Sequence, residues 1–151
     1  YFDIVIANHV LFYLKDLDLG LKEIERVLVK DGFLYCSTYG KDHMKEITEL
    51  VKEFDPRIVL SRNCLYDQFG IENGEKILSS YFEDVHLVMY DDYLEVDDPE
   101  PLMDYIMSCH GNQNEILKNQ LHRFKLFLDE KIMKQGSIRI TKQAGLFICK
   151  K

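Results

Sequence analysis

Apolar and polar positions along the chain fall into runs that predict alternating strands and helices. Ile4, Val5, Ile6 and Ala7 form an unbroken apolar run, β-branched at its first three positions. Such a run predicts a strand covered on both faces, the central strand of a parallel sheet. Leu17, Leu21, Ile24 and Leu28 then recur at intervals of three and four, the stripe of an amphipathic helix. Asp16 is placed to cap its start, and Gly32, following Lys30 and Asp31, supplies a stop. Residues 33–38 read as the next strand. A strand, a helix and a strand in that order predict a right-handed crossover between parallel neighbours.

The rest of the chain is read in the same way. Asp42 is expected to cap a helix that shows Ile47, Leu50, Val51 and Phe54 on one face and ends at Pro56. Residues 57–71 have weak periodicity and read as irregular. A short helix over 72–81 and a third strand over 85–90 follow. Asp98-Pro99-Glu100 opens another helix, with a cap, a proline at its first position and an acid in its first turn. Leu102, Tyr105, Ile106 and Cys109 are its buried stripe. A long helix comes next, with Leu117, Leu121, Phe124 and Leu128 facing inward, and it stops near Gly136. Residues 138–140 and 146–149 read as two short β runs. The turn Lys142-Gln143-Ala144-Gly145 would let them lie antiparallel at a sheet edge. The whole pattern is α/β.

Composition narrows the class without naming it. The 151 residues suit one ordinary core, and 46% apolar with 30% charged residues is the content of a globular chain. No apolar run approaches the roughly 20 residues that span a bilayer, and no signal pattern opens the chain, so a cytoplasmic protein without membrane contact is expected. Cys36, Cys64, Cys109 and Cys149 are widely spaced and read as reduced, mostly buried thiols. Residues 1–117 carry 10 Lys/Arg against 24 Asp/Glu, whereas residues 118–151 carry 9 against 2. A basic tail can mean nucleic acid. Here the bases lie at helical spacing between Leu and Phe and the chain is acidic overall, so a solvated helix face is the reading. The acids Asp91, Asp92, Glu95, Asp97 and Asp98 lack the spacing and glycine of a calcium loop, and no metal is expected.

Two segments carry a resemblance. Phe2-Asp3-Ile4-Val5-Ile6-Ala7-Asn8-His9-Val10-Leu11 resembles the fourth-strand motif of the class I S-adenosylmethionine-dependent methyltransferases, of the small-molecule type that includes quinone-biosynthesis enzymes. Leu21-Lys22-Glu23-Ile24-Glu25-Arg26-Val27-Leu28-Val29-Lys30-Asp31-Gly32-Phe33-Leu34 resembles that family's helix-and-strand signature, with its Pro-Gly-Gly reduced to Asp31-Gly32-Phe33. Thr38-Tyr39-Gly40 with His43-Met44, and Glu72-Asn73-Gly74, are similar to features of one branch. The resemblance implies the C-terminal half of a Rossmann-like methyltransferase sheet, strands four to seven with the last strands antiparallel, and a helical cap insertion. One partial domain is expected over 1–151, its core at 1–55, 83–96 and 137–151 and its cap at about 57–82 and 98–135. No G-x-G-x-x-G turn occurs in these residues. The family's grip on the methionine and ribose of the cofactor would then lie in sequence absent here, and the chain is expected to be a fragment, inactive alone.

Methyl transfer from a sulfonium needs a positioned nucleophile and a dry site more than it needs a dedicated base. The resemblance places Ala7, Asn8, His9 and Leu11 against the cofactor. Asn8 offers an amide donor and acceptor, and His9 could take a proton from a substrate hydroxyl or amine. Tyr13, Tyr39 and His43 fall at the same mouth and are candidates for a small-molecule substrate pocket, with Leu11 and Phe12 as its floor. His86, His110 and His122 read as structural. A strand opening such a unit leaves one edge unpaired, so the piece is expected to associate with another copy through residues 2–7. A non-catalytic α/β interaction module that binds through the same strand is the alternative reading.

Overall fold

In the computed structural model, which describes residues 1–151, the elements follow one another as β1 (Phe2–Asn8), a 3-10 turn (Leu11–Tyr13), α1 (Leu17–Val27), β2 (Leu28–Tyr39), α2 (Lys45–Phe54), α3 (Leu65–Gln68), α4 (Ile71–Leu78), β3 (Asp84–Val96), α5 (Pro99–Ser108), α6 (Gln113–Leu117), α7 (Leu121–Gln135) and β4 (Ile138–Lys150). The four strands form one mixed sheet in the order β1-β2-β4-β3. β1 pairs with β2 in parallel, and β4 runs antiparallel to β2. This is a mixed α/β fold, its sheet partly parallel. No helix is long and apolar enough to cross a membrane. The chain divides into two compact units, and β3 and β4 each carry residues of both.

The first unit comprises Tyr1–His43, Cys64–Asp91 and Gln143–Lys151. Asp16 does cap α1, accepting from the Leu19 N–H at 2.9 Å. Leu21 of α1 and Leu78 of α4 are buried with Leu34, Cys36, Phe147 and Cys149, so both helices lie on one face of the sheet. Gly74 permits that packing, because a Cβ there would lie 2.5 Å from the ring of Phe147. A hydrogen bond shared with Cys149, and after it burial, push the Cys36 thiol far up, which removes it as a nucleophile. All four cysteines are free.

Several expectations are corrected here. β1 is not covered on both faces: Ile4 is 53% and Ile6 66% exposed, while Val5 and Ala7 pack on the helices. Alternation along a strand sends these pairs to opposite sides, and only one side has a helical layer. The stop after α1 is also displaced. Asp31, not Gly32, takes the left-handed conformation, at φ 62°. Gly32 is required for close approach instead, since a Cβ would meet the Val29 carbonyl oxygen at 2.9 Å and that of Asp3 at 3.1 Å. The two short terminal β runs are one strand, and residues 142–145 make no turn. Gly145 and Ala144 pair with Thr38 and Tyr39 in the ladder, and β4 sits inside the sheet between β2 and β3. The stretch 57–71, read as irregular, contains α3. α4 starts at Ile71, where Asn73 Oδ1 accepts from the Gly70 N–H at 2.7 Å.

The second unit comprises Met44–Asn63 and Asp92–Lys142. Its core is Ile47, Val51, Ile58, Ile106, Leu117, Phe124 and Leu128 with Ile138 and Ile140 of β4. Phe54 meets Phe124 edge to face, their centroids 5.0 Å apart. α2 starts at Lys45 after Met44 at φ 55°, with no side-chain cap, so the expected role of Asp42 is not met. Asp98 caps α5 by accepting from the Glu100 N–H at 3.0 Å. The long helix read over 117–135 is broken into α6 and α7, and Leu121 at the break is exposed. The third strand runs on to Val96, well past Tyr90. The carboxylate of Asp92 takes the Tyr93 N–H and the Lys142 ammonium, which accounts for part of the acidic run without a metal.

Candidate functional site

Where a parallel pair of strands ends, the last backbone groups leave the ladder and side chains take over their hydrogen bonds. That happens at the carboxyl ends of β1 and β2, the edge at which open α/β sheets bind ligands. Asn8 and Ser37 are register partners there. His9 turns the chain away at φ 48°, a left-handed conformation. Its N–H reaches both the Ser37 carbonyl oxygen and Ser37 Oγ, each at 3.2 Å. The Ser37 hydroxyl in turn donates to Asn8 Oδ1 at 3.4 Å. A non-glycine residue held at positive φ by two acceptors is a pre-set turn, and such strain gathers at functional sites. Asn8 and His9 are exposed; Ala7 just before them is buried.

Aromatic rings surround the next layer. Tyr39, half-buried at the end of β2, lies 6.3 Å from the His9 ring and nearly parallel to it. Phe12 stands edge-on to Tyr39 at 5.3 Å, His43 is 5.2 Å away and Tyr66 6.4 Å. Leu11 and Phe12 are buried, and Tyr13, against Phe12 at 4.7 Å, is 67% exposed. The structure therefore gathers His9, Tyr39 and His43 around one ring and leaves Tyr13 on the outer side. The Tyr66 phenol is pushed up to about 12, first by a hydrogen bond with Cys64 and then by burial, so it stays protonated.

The segment 40–43 is held from two sides. Gln143 Oε1 accepts from the Asp42 N–H at 3.2 Å, the Gln143 carbonyl accepts from the Gly40 N–H, and the Gln143 N–H donates to His43 Nδ1 at 3.1 Å. Glu72 Oε1 accepts from the Lys41 N–H at 3.0 Å. A Cβ on Gly40 would overlap the ends of the Gln143 and Glu72 side chains, so a larger residue there would have to push aside the two groups that hold this segment. Below, the buried Thr38 hydroxyl donates to the Phe69 carbonyl at 2.7 Å.

Sequence reasoning missed Ser37, Tyr66, Glu72 and Gln143 as parts of this arrangement. Ser37 had one usable signal, its place beside Asn8 once the two strands are paired. Tyr66 and Gln143 join from far along the chain and had none. No group of three or more His, Cys, Asp or Glu could hold a metal ion.

Comparison with known proteins gives two likenesses. A family model described as "Methyltransferase domain" matches residues 1–36, which end at Cys36 of β2. A malonyl-[acyl-carrier protein] O-methyltransferase of Methylovorus sp. (strain MP688) is 35% identical over 60 residues, 40% of this chain. The match takes in 20% of that relative's length.

Proposed function

We propose that this chain, whose first 36 residues match a methyltransferase-domain model, works as part of a class I S-adenosylmethionine-dependent enzyme that methylates a small molecule. One observation carries the reading: the residues of the family match fold into the parallel β1–β2 pair and end in a pre-set polar turn at its carboxyl edge. The donor set fits the methionine end of the cofactor. Asn8 offers an exposed amide and His9 an exposed imidazole, beside the apolar floor of Leu11 and Phe12. The cofactor supplies a methyl group on a positively charged sulfur, already activated toward displacement. Ala7, Asn8, His9 and Leu11 would hold it.

The other tasks belong to side chains of this chain. Tyr39 and His43 line the substrate's approach and help exclude water, with Tyr13 at the rim. His9 receives a proton where the methyl acceptor carries one. An ionised carboxylate carries none. The curated relative is named an O-methyltransferase, so an oxygen acid is the first acceptor to assay in the whole enzyme, and with it His9→Ala should lower turnover only as far as the lost cofactor contact does. With an alcohol or amine the same variant should lose it. The grip on the ribose and the glycine-rich turn are not in these residues, and the 151-residue chain alone should not turn over.

Titration of the isotopically labelled whole enzyme with S-adenosylmethionine tests the reading, the 151-residue chain alone being expected to bind weakly or not at all. Amide shifts are expected at Ala7, Asn8, His9 and Leu11 and should be lost in Asn8→Ala. Shifts confined to other residues, or none at all, would overturn it.

A further inference from the structure

The side-chain amide of Asn8 has two ends that ask for opposite partners, an oxygen that accepts and an N–H2 that donates. Which end a ligand meets depends on which end the protein holds, and Ser37 holds one. Ser37 is laddered on both sides, opposite Asn8 of β1 and Leu146 of β4, so two neighbouring strands fix its position. Its hydroxyl oxygen accepts the His9 N–H at 3.2 Å, at the left-handed turn. Its one hydrogen goes to Asn8 Oδ1 at 3.4 Å. The amide oxygen is thereby turned back onto β2, and the amide nitrogen, on the other side of the same planar group, is turned away from it. Asn8 Nδ2 donates to no group of this chain.

That orientation selects between the two charged groups at the methionine end of S-adenosylmethionine. An ammonium only donates, and it would compete for Oδ1, the end that Ser37 already holds against the strand. A carboxylate only accepts, and it suits the outward N–H2 through a hydrogen bond that its charge strengthens. A water in place of the hydroxyl would not select in this way. It accepts from Nδ2 as readily as it donates to Oδ1, so the amide would be left to turn over. We infer that Ser37 is a positioning residue: it sets Asn8 as a one-way donor, and the group that Asn8 receives is the carboxylate of the methionine end. The inference rests on the methyltransferase reading and sharpens it, because that reading leaves both ends of the Asn8 amide open to the cofactor.

Calorimetry of the whole enzyme with two ligands tests it. One is S-adenosylhomocysteine, and the other is its decarboxylated analogue, which keeps the ammonium and lacks the carboxylate. Asn8→Ala should weaken the first by at least about tenfold and the second by less than about twofold, since only the first offers a charged acceptor. Ser37→Ala should weaken the first by about three- to tenfold more than the second, and Ser37→Thr, which keeps the hydroxyl, should restore the difference. With both residues changed to alanine, the ratio of the two affinities should be that of Asn8→Ala alone, because Ser37 acts through Asn8. Equal losses for both ligands in Ser37→Ala would mean a hydroxyl that only braces the turn, and would overturn the inference. So would a larger loss for the decarboxylated analogue, the sign of an amide that accepts. An unaltered enzyme that binds neither ligand would overturn the methyltransferase reading itself, and this inference with it.

Discussion

In the second unit the inward side chains run from Ile47 through Phe124 to Ile140, aliphatic or phenyl nearly throughout. In the first, an apolar layer of similar make-up ends in Asn8, His9, Ser37, Tyr39 and His43. The difference follows from what each is built of. A helix satisfies its own backbone, so a core made of α2, α5, α6 and α7 can be closed with hydrocarbon, and its one buried unpartnered side-chain atom is Gln113 Oε1. A sheet must stop somewhere. At its carboxyl edge the unpaired groups call for polar side chains, and those same side chains can meet a ligand. Packing density and chemistry therefore occupy different parts of this chain for a reason that lies in the backbone.

If that division holds, Phe124→Ala should destabilise the protein by about 3–5 kcal/mol and leave the ring resonances of His9 and His43 where they are. Denaturant unfolding with imidazole spectra at each step would read both quantities. Movement of the histidine signals would break the comparison. A smaller effect is expected in the sheet unit. Gly74→Ala drives a methyl into the ring of Phe147, which packs on Phe69 at 5.8 Å. Overpacking of this kind costs about 1–3 kcal/mol, and the folded remainder should show displaced Phe147 signals.

The smallest effect concerns acid. Arg57 donates to both oxygens of Asp55, at 2.9 and 2.6 Å, and its N–H adds a third bond at 3.0 Å. These bonds hold the Asp55 carboxyl down at about 2, against an ordinary 3.8. A carboxyl depressed by folding stabilises the native chain above its unfolded value and loses that contribution as the pH falls through the folded one. The contribution of Asp55 is thus complete above about pH 4 and fades toward pH 2. Arg57→Ala should return Asp55 toward 3.8, read directly by carbon NMR of the carboxyl, and remove at neutral pH a contribution that solvent screening at the exposed Arg57 side chain keeps small.

Much of the sheet unit was legible because short-range pattern carries it. The β-branched run 4–6 is a strand, Leu17, Leu21 and Ile24 lie on α1 and Asp16 caps it, each through effects that act within a few residues, although Leu28 already belongs to β2. The bare face was not legible. An apolar run says that a strand would be stable between two layers, and it cannot say whether both layers are present. The terminal strand was misread because Lys142-Gln143-Ala144-Gly145 has turn-like composition, yet the ladder from β2 continues through Ala144 and Gly145 and fixes it as extended. At the candidate site, Asn8, His9, Tyr39 and His43 could be named from their places after strands. Their convergence with Tyr66 and Gln143 depends on tertiary packing, which no local spacing encodes.

The Gln143 amide has a consequence for the chemistry open to His43. A backbone N–H pointed at Nδ1 requires a lone pair there, so that nitrogen bears no hydrogen and the neutral ring carries its proton on Nε2. One main-chain group thus selects the tautomer. Any hydrogen bond that the neutral ring makes through Nε2 is then one it donates, and its one lone pair is already taken by the main chain.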